Sequence, residues 1–95
     1  MYGTVMIGRL AVTFEQVEST VATWAADKGA RTPGYLGQTA MLADDGVTSV
    51  ACIRFADRDS YQALSDDPEQ SAWWSGSMAA LFDGEVQWID GHWHD

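Results

Sequence analysis

Two stretches of this chain read as strands that are apolar or small on both faces. In Tyr2 to Leu10, one phase of the two-residue repeat holds Tyr2, Thr4, Met6, Gly8 and Leu10, and the other holds Val5 and Ile7. In Thr48 to Phe55, Val50 and Cys52 oppose Ala51, Ile53 and Phe55. A sheet of such strands needs cover on both sides. At 95 residues the chain has room for one domain, spanning 1–95, and for one layer of helices. The second face would stay wet in a lone copy, as an apolar patch larger than soluble monomers tolerate. A twofold dimer with sheets packed face to face is the simplest remedy, so a homodimer is expected.

The remaining elements follow from local signals. Thr13-Phe14-Glu15-Gln16 is a capping box, and the helix behind it carries Val17, Val21, Trp24 and Ala25 in phase. Lys28-Gly29 supplies a cation and a left-handed stop. Tyr35 to Ala43 is a second strand, and Asp44-Asp45-Gly46 turns it into the third, Thr48 to Phe55, as a hairpin. Asp57 caps a short helix carrying Tyr61 and Leu64. Asp67-Pro68-Glu69 starts another, with Trp74, Met78, Leu81 and Phe82 in phase. Asp83-Gly84 ends it, and Glu85 to Asp90 is the fourth strand, with Val86 and Trp88 on one face and Ile89 on the other. The order is βαββ(α)αβ. Two βαβ halves in one antiparallel sheet, with helices on one face, form the α+β, ferredoxin-like split βαβ plan.

Charge excludes some functions. Five basic against 14 acidic side chains give −9, and Arg9, Lys28, Arg31, Arg54 and Arg58 are scattered. Phosphate binding needs clustered cations, so nucleic acid and anionic membrane surfaces are not expected partners. No stretch approaches the ~20 apolar residues of a membrane span, and Met1-Tyr2-Gly3-Thr4 lacks the basic start of a signal peptide. Cys52 is the one cysteine, which rules out an intramolecular disulfide and favours a reducing cytoplasm. Within Val50-Ala51-Cys52-Ile53 it reads as a small buried hydrophobe.

The element order, the length and the segments Pro33-Gly34-Tyr35-Leu36-Gly37, Asp45-Gly46, Ile53-Arg54-Phe55-Ala56, Tyr61-Gln62-Ala63-Leu64, Trp73-Trp74 and Gly84-Glu85-Val86 resemble the dimeric α/β-barrel superfamily, and within it the antibiotic-biosynthesis-monooxygenase-like branch. The resemblance covers residues 2 to 93. It implies a homodimer with one pocket per subunit, between the sheet and its own helices. Members include cofactor-independent oxygenases of polycyclic aromatics, haem-degrading enzymes and isomerases. Haem-degrading relatives carry an iron-ligating histidine on the second helical segment. This chain has no histidine between Asp57 and Asp83, and it has no asparagine, a pocket group of several relatives. A small-molecule ligand, aromatic or anionic, and no bound cofactor are expected. The activity would be monooxygenation of a polyphenol-like substrate, or else non-catalytic ligand binding.

Four residues are candidates for that ligand. Adjacent helical residues point about 100° apart, so Trp74 joins the core stripe and Trp73 faces elsewhere, either walling an aromatic ligand or simply packing. Tyr61, like Tyr2 and Tyr35, can offer a phenolic hydrogen bond or pack with its hydroxyl outward. Arg9 and Arg54 end the first and third strands. With these strands taken as parallel central neighbours, both arginines fall at one end of the sheet. There they would hold an anionic oxygen, or pair with acids. Asp90, His92 and His94 share one strand parity, a possible metal-ligand spacing. A terminal strand reaching toward a partner explains it as well, and no metal site is assigned.

Overall fold

The computed structural model describes residues 1–94. Its sheet has the order β2-β3-β1-β4, built from β1 (Tyr2–Arg9), β2 (Tyr35–Leu42), β3 (Thr48–Phe55) and β4 (Gln87–His92). All neighbouring pairs are antiparallel, and the helices lie on one face, as the ferredoxin-like plan requires. The β1–β3 pairing corrects the expected parallel arrangement. The hairpin makes β3 run against β2, and the helical crossover from β1 makes β2 parallel to β1. A strand inserted between them must therefore oppose both.

Local chemistry sets the element ends. Thr13 Oγ1 accepts from the Gln16 N–H at 3.2 Å, and Gln16 Oε1 accepts from the Thr13 N–H at 2.9 Å, starting α1 (Phe14–Ala26). The hairpin is closed by Asp45, whose Oδ1 accepts from the Val47 and Thr48 N–H groups at 2.9 and 2.8 Å, with Gly46 at φ +76°. Gly29 does not provide the expected left-handed stop, since its φ is not positive. The helix ends at Asp27, and Gly29 serves by its lack of bulk. A Cβ there would meet the Trp24 ring at 3.0 Å and the Tyr35 ring at 3.1 Å. Asp57 and Asp67 cap α2 (Arg58–Ser65) and α3 (Pro68–Trp73), with Pro68 in the first turn, as the sequence predicts.

One helix departs from its predicted phase. The α-helix expected to run on through Phe82 instead stops at Trp73. It widens into a π-helical turn over Trp74–Met78, followed by a 3-10 turn over Ala79–Leu81. Insertions of this kind are rare and recur at functional sites. Here the wider coil lets Trp73 and Trp74 share one side. Trp73 lies against Trp24, centroids 5.6 Å apart. Trp74 stacks on Phe82 at 6.2 Å and meets the edge of Trp88 at 5.0 Å.

Met6, Val17, Ala51, Met78 and Phe82 form the buried core between sheet and helices. Gly8 makes room for it, because a Cβ there would lie 2.6 and 2.9 Å from Phe82 ring carbons. Gly8→Ala is expected to destabilise the fold by ~1–3 kcal/mol, the usual cost of overpacking. The check is a lower urea midpoint at unchanged m-value.

Candidate functional site

A cavity of about 570 Å3 lies between the helices and the covered face of the sheet. Its floor has small side chains at its centre, Thr4, Ser49, Ala51 and, from β2, Ala40, with the larger Met6, Ile53 and Phe55 beside them. Its roof and walls are large. Val17, Val21 and Trp24 come from α1, Tyr61 and Leu64 from α2, Trp73 from α3, and Trp74 and Met78 from the wide turn. Four of the chain's five tryptophans line it: Trp24, Trp73, Trp74 and Trp88. Trp88 is 44% exposed and Asp90 is exposed, so the mouth opens along β4. On the opposite side a shallower groove between α1 and β2 shares Glu18, Val21, Gln38 and Ala40 with the cavity.

The helical cover is held together by polar contacts at its rim. The Trp24 indole N–H donates to Gln70 Oε1 at 2.8 Å, joining α1 to α3. Lys28 Nζ pairs with Asp67 and, at 3.6 Å, with Glu69. The hydrogen bond from Lys28 holds the Asp67 carboxyl below its ordinary range and raises the Lys28 ammonium. Inside the mouth, Tyr61 Oη donates to Asp90 Oδ1 at 2.9 Å. The Tyr61 ring is wedged between Phe55, at 5.3 Å, and Tyr2, at 5.5 Å. Burial, then the hydrogen bond to Asp90, pushes the Tyr61 hydroxyl up to about 12. It is therefore a neutral donor throughout the physiological range.

The structure brings Trp73 and Tyr61 to this cavity and leaves Arg9 and Arg54 out of it. Both arginines have the parity of Val5, Ile7 and Cys52, the face without helices. Register sets Arg9 opposite Thr48 and Arg54 opposite Gly3. That puts them at opposite ends of the sheet, about 20 Å apart at ~3.4 Å per residue. Antiparallel β1 and β3 cannot bring their carboxyl ends together, which is why the expected pair does not form. Arg9 instead lies 3.6 Å from Asp83, and the Arg54 guanidinium sits 5.2 Å from the Trp93 ring centroid. Cys52, on the same face, is half-buried.

Asp90 and Trp88 were missed as cavity residues in the sequence reading, although a signal for them existed. Trp88 belongs on the core face of the fourth strand, and Asp90 shares its parity. Asp90 thus faces the helices, where a phenol meets it. His92 meets the edge of the Tyr2 ring at 4.9 Å. Among the described residues, no three His, Cys, Asp or Glu side chains gather as a metal-binding group.

The fold and site together define a ferredoxin-like α+β domain with an aromatic-walled cavity under its helices. Solved structures with this fold include SnoaB, a cofactor-independent oxygenase from Streptomyces nogalater. It is 20% identical, with a TM-score of 0.74 over 98% of this chain and 94% of that one. The ActVA-Orf6 monooxygenase of Streptomyces coelicolor, solved with nanaomycin D, is 14% identical, with a TM-score of 0.73 over 99% and 88%. A further antibiotic biosynthesis monooxygenase is 9% identical, with a TM-score of 0.66 over the full length of both chains. No family model matches the chain, and no curated protein matches it in sequence. The chain therefore has the protomer fold of antibiotic-biosynthesis-monooxygenase-like proteins. No helix in it is long and apolar enough to cross a membrane.

The Tyr61 hydroxyl gives a pH test. Its folded value of about 12 lies above the ordinary 10.0. The neutral form is thus favoured by folding, and its stabilisation is complete below pH 10.0 and lost as pH rises toward about 12. Absorbance titration of the phenols should show a late step near pH 12 that disappears in Tyr61→Phe. The variant should also lose stability less steeply over that alkaline window.

Proposed function

We propose that this chain is a cofactor-independent monooxygenase of polyphenol-like aromatics, acting as a homodimer in the reducing cytoplasm. The observation that carries this reading is the cavity itself, walled by four tryptophans around the Tyr61–Asp90 hydrogen bond. Flat indole faces suit a planar ring system, and few polar groups are needed to orient it. The likeness to SnoaB, an oxygenase, and to ActVA-Orf6, a monooxygenase solved with nanaomycin D, supports the same reading. An electron-rich polyphenol can reduce dioxygen without a bound cofactor. In the balanced reaction a ring CH2 of the phenol's keto tautomer and O2 become C=O and H2O, so the substrate supplies every electron. The helical cover limits water at the reacting carbon. Trp73 lies along the ring, and Tyr61 with Asp90 orients a hydroxyl.

The homodimer is supported by the face without helices. It carries Val5, Ile7, Val50 and Cys52, together with Met41, 58% exposed, and Ile89, 51% exposed. Such a surface gains by burial at roughly 25 cal/mol per Å2. A second reading, non-catalytic ligand binding by the same dimer, draws on the absence of any histidine, lysine or arginine in the cavity wall among the described residues.

Oxygen uptake separates these readings. Purified protein mixed with a panel of polyphenols under air should consume oxygen above the buffer rate. Binding with no added uptake selects the second reading. Trp73→Ala should weaken ligand binding on the order of tenfold, since an aromatic contact is worth ~0.5–1.5 kcal/mol beyond its area. A large loss of thermal stability with unchanged affinity would make Trp73 a packing residue. Light scattering should report about twice the chain mass of 10.4 kDa, and Ile89→Asp should shift it toward the single chain.

A further inference from the structure

The ionisable side chains lining the cavity are Glu18, Asp90 and Tyr61, and no cationic side chain joins them among the described residues. The basic residues are engaged elsewhere. Lys28 holds Asp67 and Glu69, Arg9 lies by Asp83, Arg31 by Asp27, and Arg54 under Trp93. Arg58 starts α2 and does not line the cavity. The whole chain carries −9, so nothing distant offsets the two acids. Two of the wall's aromatic donors are also committed within it, Trp24 to Gln70 and Tyr61 to Asp90. An ionised carboxylate accepts only, at about four lone-pair positions. Tyr61 is the one side-chain donor bonded to Asp90 among the described residues, which leaves acceptor capacity at the mouth.

We infer that the cavity selects a neutral planar aromatic whose hydroxyl donates to Asp90, and rejects the same ring system carrying a carboxylate. This rests on the aromatic-ligand reading above and narrows it. It also reverses the expectation, drawn from Arg9 and Arg54, that an anionic ligand is accepted. The negative field disfavours an anion wherever it lies within a Debye length of the two acids, about 8 Å at physiological salt. Asp90 adds a direct requirement for a donor. Charge excludes the carboxylated ring and the hydrogen bond orients the neutral one, so Asp90 takes part in both selections and Glu18 adds to the first.

The test compares 6-methyl-2-naphthol with 6-hydroxy-2-naphthoic acid by equilibrium dialysis against the full chain. Both are planar rings with one hydroxyl free to donate, and they differ by a methyl group in the first and a carboxylate in the second. The naphthol should bind at least about tenfold tighter, the size expected for a like charge a few ångströms away in a partly wet site, and the gap should narrow with added salt. Asp90→Asn should shrink the gap and weaken the naphthol. Tyr61→Phe, which keeps the charge, should preserve the gap. This control matters because the methyl compound is also the more apolar: a gap unchanged in Asp90→Asn would assign the preference to apolarity and overturn the inference. Equal or tighter binding of the carboxylate by the unmodified protein would overturn the selection alone and leave the aromatic cavity standing. Binding of neither compound would overturn both.

Discussion

The cavity exists because of a mismatch in side-chain volume across two layers. Central strands normally present large branched residues to the helices above, and interiors then close to crystal-like density. Here Tyr2, Ile53 and Phe55 stand at one end of the covered face of β1 and β3, while Thr4, Ser49 and Ala51 beside them are small, and Ala40 continues that low stretch into β2. Tryptophans stand over this floor as flat panels and do not fill it. Panels of this kind need support at their edges. The Trp24–Gln70 hydrogen bond, the Lys28 ion pairs and the Trp74–Phe82 stack provide it. Removing the floor residues' smallness would erase the space. Removing the edge contacts would let the panels fall inward.

The two faces of the sheet consequently have separate tasks. One holds the cavity. The other carries Val5, Ile7, Val50 and Ile89 with no helix above them, and its corner is roofed by the Trp93 indole, whose Nε1 donates to the Ile53 carbonyl at 3.3 Å over Gly3. Gly3 has no side chain because the Ile53 carbonyl and that indole occupy the place. Arg9 and Arg54 fall on this second face, so those two cations are divided from the cavity by the thickness of the sheet.

Much of this was legible in the chain. The caps at Thr13, Asp57 and Asp67, the hairpin at Asp45-Gly46 and the apolar stripe of α1 are local signals, and each stands where the residues place it. The βαββαβ order was legible for the same reason. Strand direction was misjudged because it depends on the whole path of the chain, and one wrong sign between β1 and β3 placed Arg9 and Arg54 together. The phase of Trp73 and Trp74 was misjudged because a period of 3.6 cannot foresee a wider coil. Gly29 was assigned to a turn on composition, whereas tertiary packing between Trp24 and Tyr35 decides its role. Volume deficit leaves a faint trace in sequence: Ser49-x-Ala51 reads as an ordinary strand until what lies above it is known.

The five-residue π coil from Trp74 to Met78 carries one residue more than an α-helical path would need. Surplus of that sort is where a lineage can edit cheaply. Deleting one residue there would restore ordinary helical pitch without disturbing either flanking strand, and would swing one indole out of the lining. The shape of the cavity lining is thus open to retuning by indels in a single stretch, with the sheet left untouched.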